Sequence, residues 1–445
     1  MSLSTASLPT YHREPNASEQ RLAQHLQPGP RPVGNFVKTS RNGGIAIRLH
    51  GQDSNASMPI YGRGATVEGV VELNGKNMDT IQGVEVKMEG ELQIKEVAGS
   101  GTSSSSLCLQ VKTLWSRESS GACPTSLSFS FTLPSTFSDK KAEYPLPPTF
   151  EAHLSGVPGF YANISYTVSA VLKQSKVSFF GLTNPSVSMP FVYRPRNRPS
   201  IPLPASLSPK VMGTDSFYDD EDWMSSQTVA KAKSTRYESV LVKLYLPASR
   251  VFSITEPIPF NLFLSSSAFS LASFLPFAPP HSSSAGSPSV RQGTTRVQVV
   301  RQMAVDVRGI SKSHPVMRGN NTDIWKTVTI GEGVFRRYDG EGGGGHDWMA
   351  WSGEVQVDKS VSVAGFKASG FSVKDYILLS MTPTDPGKAP FMDMRLTIPI
   401  KLTTDSWSVS TDERYAIGVT GYGDAEYAEQ LHYQPELSYG APPRS

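Results

Sequence analysis

Polar and apolar side chains alternate along most of this chain. In GGIAIRLHG, Ile45, Ile47 and Leu49 alternate with Ala46, Arg48 and His50, the two-residue period of a strand with one buried face. In ATVEGVVELNG, Val67, Gly69, Val71 and Leu73 share one face, Thr66, Glu68 and Glu72 the other, and Val70 alone breaks the pattern. The period returns in IQGVEVKMEGELQI, where Val84, Val86 and Met88 alternate with Glu85, Lys87 and Glu89, and in SLSFSFTLP, with Leu127, Phe129 and Phe131 on one face. It returns again in FYANISYTVSAVLK, where Tyr161, Asn163, Ser165 and Thr167 alternate with Ala162, Ile164, Tyr166 and Val168. Short strands divided by turn residues predict an antiparallel β-sandwich rather than a parallel α/β sheet. A second set starts at SVLVKLYLP and runs through ITEPIPFNLFL, TTRVQVVRQMAVDVRG, WMAWSGEVQV, FSVKDYILLSM and MDMRLTIPIKL, predicting a second sandwich.

Glycines punctuate these strands. Gly62, Gly64 and Gly69 in MPIYGRGATVEG lack the Gly-Lys-Ser/Thr ending of a phosphate loop, and Val67 stands where a dinucleotide fingerprint needs Gly. They are read as a turn feeding a strand. The fold class is therefore all-β, two tandem antiparallel immunoglobulin-like sandwiches between disordered arms. Residues 1–40, rich in Pro, Ser, Gln and Arg, read as a disordered arm, 41–195 as the first sandwich, and 196–235 as a Pro-rich and acidic linker. Residues 236–405 read as the second sandwich with a flexible insert at 266–292, and 406–445 as a disordered tail.

At 445 residues the chain is long enough for several cores, and its net charge of +3 leaves no nucleic-acid footprint. No run reaches about 18 apolar residues, so no bilayer-spanning helix is expected. The opening MSLSTASLPTYHREPNAS lacks an apolar signal-peptide core, so a cytoplasmic location is expected, with Cys108 and Cys123 as free thiols. The histidines at 12, 25, 50, 153, 281, 314, 346 and 432 never fall at metal-ligand spacing. No Gly-x-Ser-x-Gly elbow occurs, and GEGGGGHDW at 340–348 reads as a flexible connection. No metal, cofactor or enzymatic activity is expected.

Three features point to binding instead. Arg48, with Arg41 and Lys38 just before it, presents cations that suit an acidic or phosphorylated segment, the alternative being a solvated strand face. Arg194, Arg196 and Arg198 alternate in YRPRNRP, a spacing that suits anionic lipid or an acidic segment. Their alternative partners are internal: Asp215, Asp219, Asp220, Glu221 and Asp222. FSLASFLPFAPP, with Phe274, Leu275 and Phe277, reads either as an apolar loop that touches a membrane surface or as packing against its own sandwich.

Residues 58–172 resemble the arrestin family, specifically the fungal α-arrestin-like proteins. YGRGATVEGVVELNGKNMDTIQGVEVKMEGEL resembles the family's Tyr-x-Pro-Gly turn, its paired strands and its strand ending in Glu-Gly, with Arg63 in place of the turn's Pro. SLSFSFTLP, LPPTFE and YANISYTVSAVL resemble the segment that crosses back through the sheets, and VKLYLPASRVFSITEPIPFNLFL resembles the start of the C-terminal arrestin domain. The resemblance implies the arrestin fold and a cytosolic adaptor that binds cytoplasmic tails of membrane receptors or transporters and promotes their sorting, endocytosis or ubiquitination. It also implies that Arg48, a basic residue on the first strand, contacts phosphates. A retromer-type coat subunit and a soluble signalling scaffold are the alternatives. Many members recruit a HECT-type ubiquitin ligase through Pro-Pro-x-Tyr; no such motif occurs here, and the nearest variant is Leu8-Pro9-Thr10-Tyr11.

Overall fold

The computed structural model describes residues 33–74, 78–97, 101–118, 121–139, 142–174, 184–207, 221–274, 295–306, 323–337, 347–383 and 385–407. Most of the two arms, much of the 266–292 insert and the glycine run at 340–345 therefore lie outside the described residues.

The first sandwich opens with β1 (Gly34–Thr39), β2 (Ile45–Gln52), β3 (Ile60–Tyr61), β4 (Thr66–Leu73), β5 (Ile81–Glu96) and β6 (Thr102–Ser116). It continues through β7 (Ser126–Thr132), β8 (Thr136–Ser138), β9 (Glu143–Pro145), β10 (Phe150–Leu154), β11 (Phe160–Gln174) and β12 (Ser186–Tyr193). One sheet runs β1-β2-β4-β7 and the facing sheet β3-β12-β11-β5-β6, with β10 beside β11. The alternation explains the layering: Ile45, Ile47, Leu49, Val67, Val71, Leu127, Phe129 and Phe131 line the inner face of the first sheet, Val84, Val86, Met88, Ile164, Tyr166 and Val168 that of the second. Gly64 has φ of 63°, the left-handed turn conformation expected ahead of β4. Gly69 is needed for another reason, since a Cβ there would stand 2.4 Å from the carbonyl oxygen of Arg48.

Two strands lie where the sequence reading placed disorder and linker. β1 falls within residues 1–40; it pairs antiparallel with β2 and packs Phe36 against the core. As an edge strand with most of its side chains in solvent, it carries too little apolar periodicity to be read from composition.

The second sandwich begins with β13 (Trp223–Ala230), which likewise falls inside the 196–235 linker and pairs along its whole length with β14 (Val240–Pro247). Then follow β15 (Val251–Ser253), β16 (Ile258–Ser265), α1 (Ala268–Phe274), β17 (Thr295–Asp306), β18 (Asp323–Arg337) and β19 (Trp348–Val357). The last strands are β20 (Phe366–Ala368), β21 (Phe371–Met381) and β22 (Met394–Thr403). One curled sheet orders them β13-β14-β16-β19-β18-β17-β21-β22-β15, with β20 beside β21. Its two flanks meet where Ala232 bridges Phe391, so the sheet folds over its own core.

A single apolar cluster joins the sandwiches. Phe150 of β10 packs on Phe366 and Phe371 at ring separations of 5.2 and 6.0 Å, and Phe160 of β11 on Phe371 at 6.2 Å. Met303, Val305 and Val373 belong to the same cluster as the core of the first sandwich. Further along the same inner face of β17 and β21, Val297, Val299, Ile377 and Leu379 belong to the core of the second. Between the two stands a buried ion pair in direct register, Arg301 Nε donating to Asp375 Oδ1 at 2.7 Å and Nη2 to Oδ2 at 3.1 Å.

Removing one partner strands the other charge in a buried site. Asp375→Asn is expected to destabilise the fold by about 3–5 kcal/mol, whereas Arg301→Met combined with Asp375→Leu recovers most of the loss. Urea unfolding followed by circular dichroism checks both.

Candidate functional site

The outer face of the first sheet carries the leading site. In-register pairing aligns Val37 of β1, Arg48 of β2, Val70 of β4 and Ser128 of β7 in one row across that face. Glu72, opposite Ala46, is the diagonal neighbour of Arg48. Arg48 Nε donates to Glu72 Oε1 at 2.9 Å and Nη2 to Oε2 at 3.3 Å, a fork of the kind that guanidinium offers any planar oxyanion. Hydrogen bonds from Arg48 hold the Glu72 carboxyl below its ordinary pKa, helped by the charges of Arg48 and His50 and opposed by slight desolvation. His50 in turn holds Asn35 of β1, Nδ1 to Oδ1 at 2.9 Å.

The other two predicted cations do not join Arg48 on this face. Lys38 pairs with Ile47, whose side chain is fully buried, so it projects to the opposite face from Val37. Arg41 is exposed in the turn between β1 and β2. A strand face gathers only every second residue, and three cations spaced 38, 41 and 48 do not share one.

Beside this row β1 is an edge, and Val37 on it is 48% exposed. The far side of the sandwich is also built of edges, β6 and β7, but those are stitched together. Gln110 Nε2 donates to the carbonyl of Thr132 at 2.8 Å, and Lys112 Nζ donates to the carbonyl of Ser130 while lying over the Phe131 ring. Side chains that occupy edge carbonyls in this way discourage a further strand.

The arginines of YRPRNRP are divided among separate environments. Arg196 forks onto Asp405, Nε to Oδ1 at 2.9 Å and to Oδ2 at 3.1 Å, with both side chains largely buried. Asn197 and Thr404 close the clip through backbone and side-chain bonds on both sides. Arg194 is exposed and Arg198 half-buried. Asp405 is thus an internal partner of Arg196, while Asp215, Asp219 and Asp220 lie outside the described residues; a contact between positions so far apart in sequence leaves no local signal.

Phe274 is not a membrane-contact residue. It closes α1 with 1% of its surface exposed, against Phe391 at 5.5 Å, in the core of the second sandwich with Leu271. The spacing of Leu271 and Phe274, three apart on one helix face, was the signal for this packing. Leu275 and Phe277, like Leu8, Pro9 and Tyr11, lie outside the described residues. Among the described residues of the segment the exposed ring is Phe269, stacked on Tyr237 at 5.4 Å with Arg236 over both rings.

The seam between sandwiches presents apolar residues that the sequence reading did not single out. Val157, 81% exposed, lies in the β10–β11 turn, and the N–H of Val97 donates to Gly159 of that turn at 2.9 Å. Trp325 of β18, 54% exposed, adjoins Lys326, whose Nζ donates to the carbonyl of His153 at 3.0 Å.

Both cysteines are free. Burial pushes the Cys108 thiol up to about 11 and raises that of Cys123 less strongly. Among the described residues no three His, Cys, Asp or Glu side chains are grouped to hold a metal, and no helix is long and apolar enough to cross a membrane. The chain matches no family model and none of the curated proteins.

Two measurements check this electrostatic picture. Because the folded pKa of Glu72 lies below its unfolded value, the pair's contribution is present above the ordinary carboxylate range and is lost as pH falls through the folded pKa. Titration by nuclear magnetic resonance should place Glu72 below an ordinary glutamate, and Arg48→Gln should return it upward. At pH 8 a maleimide should label Cys123 first and Cys108 only on unfolding, since the reactive species is the thiolate.

Proposed function

We propose that this protein is an arrestin-like adaptor of the cytoplasm, whose first sandwich takes an extended acidic or phosphorylated segment of a membrane receptor or transporter. Binding then promotes sorting, endocytosis or ubiquitination of that cargo, with a HECT-type ligase and peripheral membrane contact as further partners. One juxtaposition carries the reading: β1 is an edge strand, and Arg48 stands one strand inward on the same row as its exposed Val37. The likeness of residues 58–172 to arrestins supplies the class of cargo.

The mechanism follows from that placement. A segment added along β1 gains main-chain hydrogen bonds from an edge that pairs with no other strand among the described residues, and alternate side chains of the segment fall on the face that carries Val37 and Arg48. Glu72 already occupies the guanidinium fork and acts as an internal competitor for it. A phosphate, with about −1.5 to −2 charge, outcompetes the single charge of Glu72, so an unphosphorylated segment is held through the backbone alone. Among the described residues, the stitched edges of β6 and β7 leave β1 as the side of the first sandwich with an edge open to a strand.

Titration of the full chain with an acidic peptide of alternating valine and serine, phosphorylated and not, tests the proposal. The phosphorylated form should bind more tightly, Arg48→Gln should cost about tenfold or more, and Glu72→Gln should strengthen binding by freeing the fork. Equal affinity for both peptides, unchanged in the two variants, would sink it.

A further inference from the structure

The parallel pairing of β3 with β12 sets Tyr61 beside Tyr193, and both side chains enter the core of the first sandwich, with 2% and 1% of their surface exposed. Tyr61 packs edge-on against Phe191 at 5.2 Å, and Tyr193 against Tyr166 at 5.3 Å. Of these three tyrosines, Tyr166 is satisfied, its hydroxyl donating to the carbonyl of Pro147 at 2.5 Å. The hydroxyls of Tyr61 and Tyr193 are buried with no hydrogen-bond partner among the described residues. Two orphaned hydroxyls on neighbouring strands call for an occupant, because each otherwise loses its hydration for nothing in return.

The surroundings say what kind. Burial raises the pKa of Tyr61, with Glu68 adding to the rise, and pushes that of Tyr193 up to about 12, so both remain O–H donors at any working pH. Arg63, two residues beyond Tyr61 in the turn to β4, has its Nε buried. It stands close enough to Tyr193 for its charge and N–H groups to draw that pKa back down, but not at the distance or angle of a hydrogen bond. The neighbouring carbonyls are already engaged: Tyr61 accepts from the N–H of Arg194 at 2.8 Å, Pro59 from Val192 at 2.8 Å and Tyr193 from Thr149 at 2.9 Å. The place is therefore rich in donors, poor in acceptors and beside a positive charge. A water molecule would bring two donors of its own that need acceptors, whereas an anion only accepts. The rings meet at 5.2 to 5.8 Å, which suits a single small ion rather than a phosphate.

We propose that Tyr61, Tyr193 and Arg63 form a binding site for a halide ion, chloride in a physiological medium, which ties the turn between β3 and β4 to β12. The site lies inside the first sandwich and is independent of any cargo on β1.

Thermal unfolding of the full chain at about 0.15 M ionic strength, with gluconate replaced stepwise by chloride or bromide, tests it. The wild-type midpoint should rise by a few degrees and saturate, and Tyr61→Phe/Tyr193→Phe should abolish the rise. Chlorine nuclear magnetic resonance on the folded proteins reads occupancy apart from stability: the wild type should broaden the chloride line several-fold more than Tyr61→Phe or Arg63→Gln. A wild-type midpoint indifferent to halide overturns the proposal. In that case a higher midpoint in the phenylalanine variant means that the hydroxyls stand unpartnered, and a lower one that they hold water. A halide response that persists undiminished in the variants places the ion elsewhere and overturns it too.

Discussion

The ladder between β17 and β21 is the constraint on which the architecture rests, because its one inner face serves two cores. From Val297 to Val299 it closes the second sandwich, and from Met303 to Val305 it packs on the first. The Arg301–Asp375 pair sits in register between those stretches. A one-residue slip of β17 against β21 would separate the charges and turn both apolar stretches outward at once, so register and the junction of the sandwiches are fixed together. Buried pairs of this kind contribute little net stability compared with apolar residues, and their value is in penalising alternatives.

Given that frame, the surfaces differ in how their edges are managed. The β6–β7 side is stitched by Gln110 and Lys112, and the second sheet closes on itself through Ala232 and Phe391. β1 is left as an edge beside a guanidinium held by a competitor carboxylate. The same physics recurs at the connector, where Arg196 has a buried carboxylate.

Alternation made the sandwiches legible wherever one strand face is buried, as in β2, β4, β5, β7 and β11. It failed where burial is one-sided in another sense. β1 and β13 lie at edges with mostly polar or exposed side chains, and the serines of β6 carry no apolar period although its whole length is paired. Arg48 was legible as an outward cation on the first strand. Its competitor Glu72 was readable as outward too, but their contact depends on the register of β2 with β4. Lys38 and Arg41 illustrate the limit of proximity in sequence, since strand parity and the turn send them elsewhere. The Arg196–Asp405 clip depends on the tertiary fold alone.

The central claim is that an extended anionic segment adds to the first sandwich along β1. Hydrogen–deuterium exchange of the full chain, with and without the phosphorylated valine–serine peptide at saturating concentration, tests it most directly. The account predicts new protection of the Gly34–Thr39 amides, with the β6 and β7 amides unchanged. Protection that appears instead at β6, at the seam around Trp325, or nowhere on the first sandwich would contradict it.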